Sequence, residues 1–93
     1  MTGNEMHMLA RESNDKRIEG VYIEELNIIY DAARAGNFYA DIDEVAIQDE
    51  FVDYLLRHDF KVIYHHKYND VWYECRVASA VPWLSCDKIR VKW

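Results

Sequence analysis

The spacing of apolar residues in this 93-residue chain changes at Asp59. Before that residue, apolar side chains recur at intervals of three, four and seven, which is typical of amphipathic helices. After it, apolar and polar side chains alternate, which is typical of half-buried strands. Helices and hairpins in one short chain can bury their apolar faces by packing against each other. The pattern therefore predicts an α+β domain.

The first predicted helix begins near Ile18, with Asn14 or Asp15 as its N-cap. It ends at Gly36, a residue that adopts the left-handed conformation at helix C-termini without steric cost. Its expected buried face comprises Ile18, Tyr22, Leu26, Ile29, Tyr30 and Ala33. Residues 1–16 show no such periodicity, so we predict a flexible and irregular N-terminal segment there, followed by a single domain at 17–93.

A second helix of about fifteen residues is predicted before Asp59, with Asp41 or Asp43 as its cap. Asp41 and Glu44 have the spacing of a capping box. The apolar positions of this helix are Val45, Ile47, Phe51, Val52, Tyr54, Leu55 and Leu56. Because they cover a wide arc, we expect the helix to lie across a sheet.

The strands are predicted at 38–42, on both sides of the Asn69-Asp70 step, and near the C-terminus. In the last strand, Ile89, Val91 and Trp93 alternate with Lys88, Arg90 and Lys92. The predicted order is α-β-α-β-β-β. The two helices are expected on one face of a small, largely antiparallel sheet of three or four strands.

A two-residue turn at Asn69-Asp70 determines the predicted register of the hairpin. On one face it pairs Tyr68 with Val71, His66 with Tyr73, Tyr64 with Cys75 and Val62 with Val77. On the other face it pairs Lys67 with Trp72, His65 with Glu74 and Ile63 with Arg76. The second face would then carry a cation–π pair and a charge pair.

Catalytic and metal-binding patterns are weak in this chain. His66 and Cys75 are predicted to be neighbours on one face, but the period of a strand directs His65 to the other face. We find no CxxC or HxxxH spacing, no GxSxG, no P-loop and no GxGxxG. We therefore predict a non-enzymatic protein that requires no metal and no cofactor.

The cellular compartment is predicted from what the sequence lacks. It has two cysteines, no signal peptide and no apolar run long enough to span a membrane. We therefore expect a cytoplasmic protein with reduced thiols.

Charge is distributed unevenly along the chain, although the net value is −6. Residues 1–60 carry fourteen acidic and five basic side chains, whereas residues 61–93 carry three acidic and six basic ones. The helical half could therefore bind a basic partner protein or imitate the phosphates of DNA. The acidic residues expected on that surface are Glu24, Asp31, Asp49, Glu50 and Asp53.

The sheet provides an alternative binding surface. Lys67, Trp72, Arg76 and Arg90 would combine cations with an aromatic platform, as in proteins that bind single-stranded nucleic acid. The acidic helices would repel such a polyanion, so nucleic acid is the less favoured partner. A structural role as a homodimer is a further alternative, because three tryptophans are more aromatic surface than a small core absorbs.

The layout resembles that of small accessory proteins of tailed bacteriophages. The resemblance covers residues 18–78 and the terminal Trp93, and includes AARAGNFYADI, YLLRHDFKV and the aromatic strands that follow. It implies a protein that binds host or phage macromolecules in the host cytoplasm, for example as an inhibitor or modulator of a host protein. It supplies no functional residues.

Overall fold

The computed structural model describes residues 2–43 and 48–93. Within them the chain forms, in order, α1 (Gly3–Val21), α2 (Ile23–Arg34), β1 (Tyr39–Asp43), α3 (Asp49–Arg57), β2 (Lys61–His66), β3 (Val71–Cys75), a short 3₁₀ helix (Ala78–Ala80) and β4 (Cys86–Lys92). No helix of the described residues is long and apolar enough to span a membrane.

The four strands form one sheet in the order β1-β4-β2-β3, and each neighbouring pair is antiparallel. The C-terminal strand β4 therefore lies inside the sheet, between β1 and β2. Helix α2 packs against β1, and α3 packs against β2. The predicted α+β class and the predicted order of helices and strands along the chain are confirmed, although the first predicted helix is longer and divided in two.

The hydrophobic core lies between the helices and one face of the sheet. Ile89 and Val91 of β4 are completely buried there, as are Phe51 and Leu55 of α3. The other buried apolar residues are Ile18, Tyr22, Leu26, Ile29, Ala40, Ile42, Val52, Tyr54, Val62, Cys75, Val81 and Cys86. Of the residues predicted to alternate inward in the last strand, Ile89 and Val91 are thus in the core, whereas Trp93 follows β4 and is 37% exposed.

The N-terminal segment was wrongly predicted to be irregular, since residues 3–16 belong to α1. The Thr2 hydroxyl accepts a hydrogen bond from the backbone N–H of Glu5 at 3.2 Å, so the helix starts with an N-cap of its own. Asn14 and Asp15 are inside the helix and do not cap it. The helix ends at Tyr22, whose backbone leaves the helical conformation while its ring remains buried.

The end of α2 agrees with the prediction. Gly36 has φ of +87°, and the N–H groups of Gly36 and Asn37 bond to the carbonyls of Ala33 and Ala32. This closes the helix with a left-handed glycine. The predicted buried face was too wide, however, because Tyr30 is 48% exposed and Ala33 is exposed.

The predicted caps of the second helix are in another element. Asp41 and Asp43 belong to β1, and α3 begins after Gln48 and has nine residues. The side chain of Asp41 bonds to Arg90 instead of a helix N-terminus. The other capping-box residue, Glu44, and the predicted apolar positions Val45 and Ile47 lie outside the described residues.

Polar side chains attach α1 to α3. Asp15 is the centre of this contact, because its carboxylate accepts bonds from Arg57 at 2.9 Å and from His58 at 3.0 Å. The Arg57 guanidinium and His58 lower the pKa of the Asp15 carboxyl. Nearby, the Tyr54 hydroxyl donates to Glu19 at 2.8 Å. These bonds hold the end of a helix whose first twelve residues are exposed.

We predict that Asp15→Asn destabilises the protein by roughly 1–3 kcal/mol. The substitution removes the charge of a carboxylate that is only 15% exposed and is bonded to Arg57 and His58. The matched control is Asp31→Asn, whose carboxylate is 72% exposed and pairs with Arg34 one turn away. We expect this control to change the free energy of unfolding by less than about 0.5 kcal/mol. Urea unfolding of both variants measures the two changes in the free energy of unfolding. Equal effects would contradict the central role of Asp15 in attaching α1 to α3.

Candidate functional site

The hairpin β2–β3 has a register two residues away from the predicted one. Tyr64 pairs with Tyr73 instead of Cys75, and His66 pairs with Val71. The reason is a four-residue turn at 67–70, in which the Asp70 N–H bonds to the His66 carbonyl. Since side chains alternate with a period of two, this shift keeps every residue on its predicted face but changes its neighbours.

The predicted contacts on the outer face of the hairpin were therefore wrong. Lys67 lies over the ring of Tyr68 at 5.2 Å, and Trp72 pairs with His65. Glu74 pairs with Ile63, so it is not the partner of His65. Arg76 follows the end of β3, with its side chain 82% exposed and 3.5 Å from Glu74.

The face of the sheet opposite the helices is open, in that no helix of the described residues packs on it. We call it the open face. Its residues are Tyr39, Asp41, Asp43, Lys61, Ile63, His65, Trp72, Glu74, Lys88, Arg90 and Lys92. Cationic, anionic and aromatic side chains therefore alternate across all four strands.

Arg90 occupies the centre of the open face. Its guanidinium carbon lies 4.4 Å from the ring centroid of Tyr39 and 4.6 Å from that of Trp72. Two nitrogens of the guanidinium donate to the two carboxylate oxygens of Asp41, at 2.7 and 3.1 Å. The bond to Asp41 raises the pKa of Arg90. This cation is therefore held between two rings and a carboxylate.

His65 is the second polar centre of the open face, and its residue is only 9% exposed. Its Nδ1 lies 2.7 Å from Asp87, beside a β-bulge in the β2–β4 pairing, and its Nε2 lies 2.6 Å from Asp70 in the turn. A neutral imidazole has one N–H, so both bonds require the protonated ring. Asp70 and then Asp87 raise the pKa of His65, and His65 lowers the pKa of Asp87. The ring of Trp72 lies 5.0 Å away.

The predicted acidic residues lie on two helices. On α3, Glu50 accepts bonds from Arg17 and Tyr22, Asp53 binds Arg57, and Asp49 accepts from Trp83. Arg17 lowers the pKa of Glu50, and burial is the main cause that raises the pKa of Tyr22 to about 12. On α2, Asp31 pairs with Arg34, and Glu24 is exposed. Four of the five carboxylates are therefore engaged within the chain.

The structure separates the two residues considered as metal ligands. Cys75 pairs with Val62 at one end of the hairpin, and His66 pairs with Val71 at the other. Among the residues described, no group of three His, Cys, Asp or Glu side chains could hold a metal ion. Cys75 is 3% exposed, and burial raises the pKa of its thiol, so it packs as a small apolar side chain.

Comparison with protein-family models, with curated proteins and with solved structures found no match to this chain. The site must therefore be interpreted from its own geometry. Of the residues predicted for a sheet surface, the structure brings Trp72 and Arg90 together, and it places Lys67 in the turn and Arg76 beyond β3. Sequence reasoning missed Tyr39 and Asp41, whose contact with Arg90 depends on β1 pairing with β4.

We predict that the bonds of His65 stabilise the protein in a defined pH range. Because the folded pKa of His65 is raised, its contribution is complete below the ordinary value of 6.5 and is lost as the pH rises through the folded value. The lowered pKa of Asp87 gives the acid limit, where the contribution is lost as the pH falls below 3.8. His65→Gln should therefore cost stability at mildly acidic pH and little at alkaline pH.

Urea unfolding across this pH range measures that difference, with His66→Gln as the control on the opposite face of the same strand. Titration of the ring signals by NMR gives the pKa of His65 directly. A destabilisation by His65→Gln that does not vary with pH would show that the ring acts by packing alone.

Proposed function

We propose that this protein is a non-enzymatic protein-binding module whose partner contacts the open face of the sheet. One observation carries the proposal: Arg90 is held between Tyr39 and Trp72 on a face that no described helix covers. Arginine, tyrosine and tryptophan are the side chains that contribute most to protein interfaces. Here they already contact one another without a partner, and such preorganisation reduces the entropy lost on binding.

The mixture of charges supports a polypeptide partner. On this face four cations, Lys61, Lys88, Arg90 and Lys92, alternate with three carboxylates, Asp41, Asp43 and Glu74. The protonated His65 is offset by Asp70 and Asp87. A surface that follows a nucleic-acid backbone needs a continuous excess of positive charge. A protein surface can complement alternating charges locally, and such pairs determine orientation more than affinity.

The acidic helical residues support the proposal less well than the open face. Glu50, Asp53 and Asp31 each have an arginine partner in the chain, and a basic partner or a DNA-binding protein would have to compete with it. The resemblance to phage accessory proteins supports a more specific role, the modulation or inhibition of a host protein in the cytoplasm. We include that role in the proposal.

We predict that Trp72→Ala and Arg90→Lys each reduce the amount of partner captured by the protein from lysate of its native host by at least about tenfold. Such a loss corresponds to roughly 1.4 kcal/mol, which is within the range for a central interface residue. Lysine keeps the charge of Arg90 but cannot form the planar stack or the two-pronged bond to Asp41. Quantitative mass spectrometry of the captured proteins measures the loss.

The matched control combines Glu24→Gln, Asp31→Asn and Asp53→Asn, which removes exposed charge from the helices. We expect it to retain the partner. Loss of the partner in this control, with retention in the two sheet variants, would assign binding to the acidic helices. Circular dichroism of each variant distinguishes a lost contact from a lost fold.

Single-stranded nucleic acid is the second candidate, favoured by the Lys88 amine 5.5 Å from the centre of the Trp72 ring. If bases stack on this platform, an oligothymidylate should quench tryptophan fluorescence at low salt, and the quenching should weaken steeply as salt rises. Trp83 serves as the internal control, since it lies beside α3 and binds Asp49. The Trp83→Phe variant should keep the quenching by oligothymidylate, and the Trp72→Phe variant should lose it. No quenching at low salt would exclude this candidate.

A further inference from the structure

The outer edge of β3 is a strand edge with little protection against pairing. In the sheet order β1-β4-β2-β3, β3 has β2 on one side and no neighbouring strand of the described chain on the other. Its sequence, VWYEC, contains no proline or lysine and a single charged residue, Glu74, and among the described residues the sheet pairing is irregular only between β2 and β4. Soluble proteins normally block such edges with charges, prolines or bulges. Val71 and Tyr73 are also 44% and 39% exposed.

The opposite edge of the sheet is protected in the usual way. Strand β1 carries Asp41 and Asp43, both on the open face. If two copies paired through β1 about its central residue, Asp41 would face Asp41 and the like charges would repel. The difference between the two edges indicates that β3 is suited to pairing and β1 is not.

We propose that β3 pairs antiparallel with β3 of a second copy, centred on Tyr73, and so forms a continuous eight-stranded sheet. A two-fold axis perpendicular to the sheet keeps each side chain on its own face, so the register must be centred on a residue. Only the register centred on Tyr73 overlaps all five residues of β3.

Charge complementarity favours the same register. Centring on Trp72 would place Asp70 opposite Glu74, and centring on Glu74 would place Glu74 opposite itself, so both alternatives bring like charges together. The register centred on Tyr73 places Tyr73 opposite Tyr73, Val71 opposite Cys75, Trp72 opposite Glu74 and Asp70 opposite Arg76. Each of these pairs is apolar, opposite in charge, or an indole facing a carboxylate.

The flanking side chains are accessible for these contacts. The Arg76 side chain is 82% exposed, and its bond to Glu74 is long, at 3.5 Å. The Asp70 side chain is 92% exposed and uses Oδ1 for His65, which leaves the other oxygen for a guanidinium. The inference is independent of the proposed function, but a dimer of this kind would place two open faces side by side.

Size-exclusion chromatography with light scattering tests the association. The mass should rise with concentration from the 11.1 kDa of the monomer toward twice that value. Arg76→Glu should shift the protein to the monomer, because the new carboxylate faces Asp70 of the second copy. Arg34→Glu is the matched control, since Arg34 is 77% exposed in a comparable ion pair on α2, and it should leave the dimer unchanged.

Cross-linking tests the register. Opposed residues of antiparallel strands have Cα atoms about 4.5–5.5 Å apart, within the range of a disulfide. Tyr73→Cys should therefore form an intermolecular disulfide on mild oxidation, whereas Tyr68→Cys, 74% exposed in the turn, should not. A monomer at all concentrations would overturn the proposal. So would a dimer that Arg76→Glu leaves intact, or one that cross-links at residue 68 and not at residue 73.

Discussion

The pairing of β4 with both β1 and β2 is the constraint on which the rest of the structure depends. Without β4, β1 and the helix packed on it would have no hydrogen-bonded connection to the β2–β3 hairpin. The strand also separates the two faces of the sheet, because Ile89 and Val91 are completely buried while Lys88, Arg90 and Lys92 point the other way. The last residues of the chain thus create both the core and the open face. Because Asp41 of β1 pairs with Arg90, 49 residues further along the chain, the sheet depends on contacts of high sequence separation, which slow folding.

The sequence predicted the face of each strand residue better than it predicted neighbours. The alternation of apolar and polar residues shows which side chains are buried. A shift of the strand register by two residues leaves the same side chains buried. The length of the turn decides between such registers, and it depends on local bonds that composition does not reveal. Asp70 adopts a left-handed conformation with φ of 54°, and Asn69 accepts a bond from the Val71 N–H. Together these lengthen the turn from the predicted two residues to four.

Helix α1 could not be predicted from the periodicity of apolar residues. Periodicity detects a buried face, and residues 2–14 have none because all of them are exposed. Their helical structure comes from local effects, namely the Thr2 cap and side-chain bonds such as those from Arg11 to His7 and from Arg17 to Asn14. The Thr-Gly-Asn-Glu sequence at 2–5 has the spacing of a capping box and was the available signal. The periodicity of apolar residues does not predict a helical segment that buries no side chain.

The Arg90 cluster could not be predicted from local pattern, because its members come from three strands and Arg90 lies 49 residues from Asp41. Trp72 reaches Arg90 across β2, the strand that separates them in the sheet. The arrangement also explains how a cation whose side chain is 30% exposed is held in one orientation. Asp41 fixes the plane of the guanidinium, and the rings of Tyr39 and Trp72 remove part of its hydration in the free protein. A partner of the kind proposed would need to displace only the remaining water, and the ion pair that orients Arg90 would stay intact.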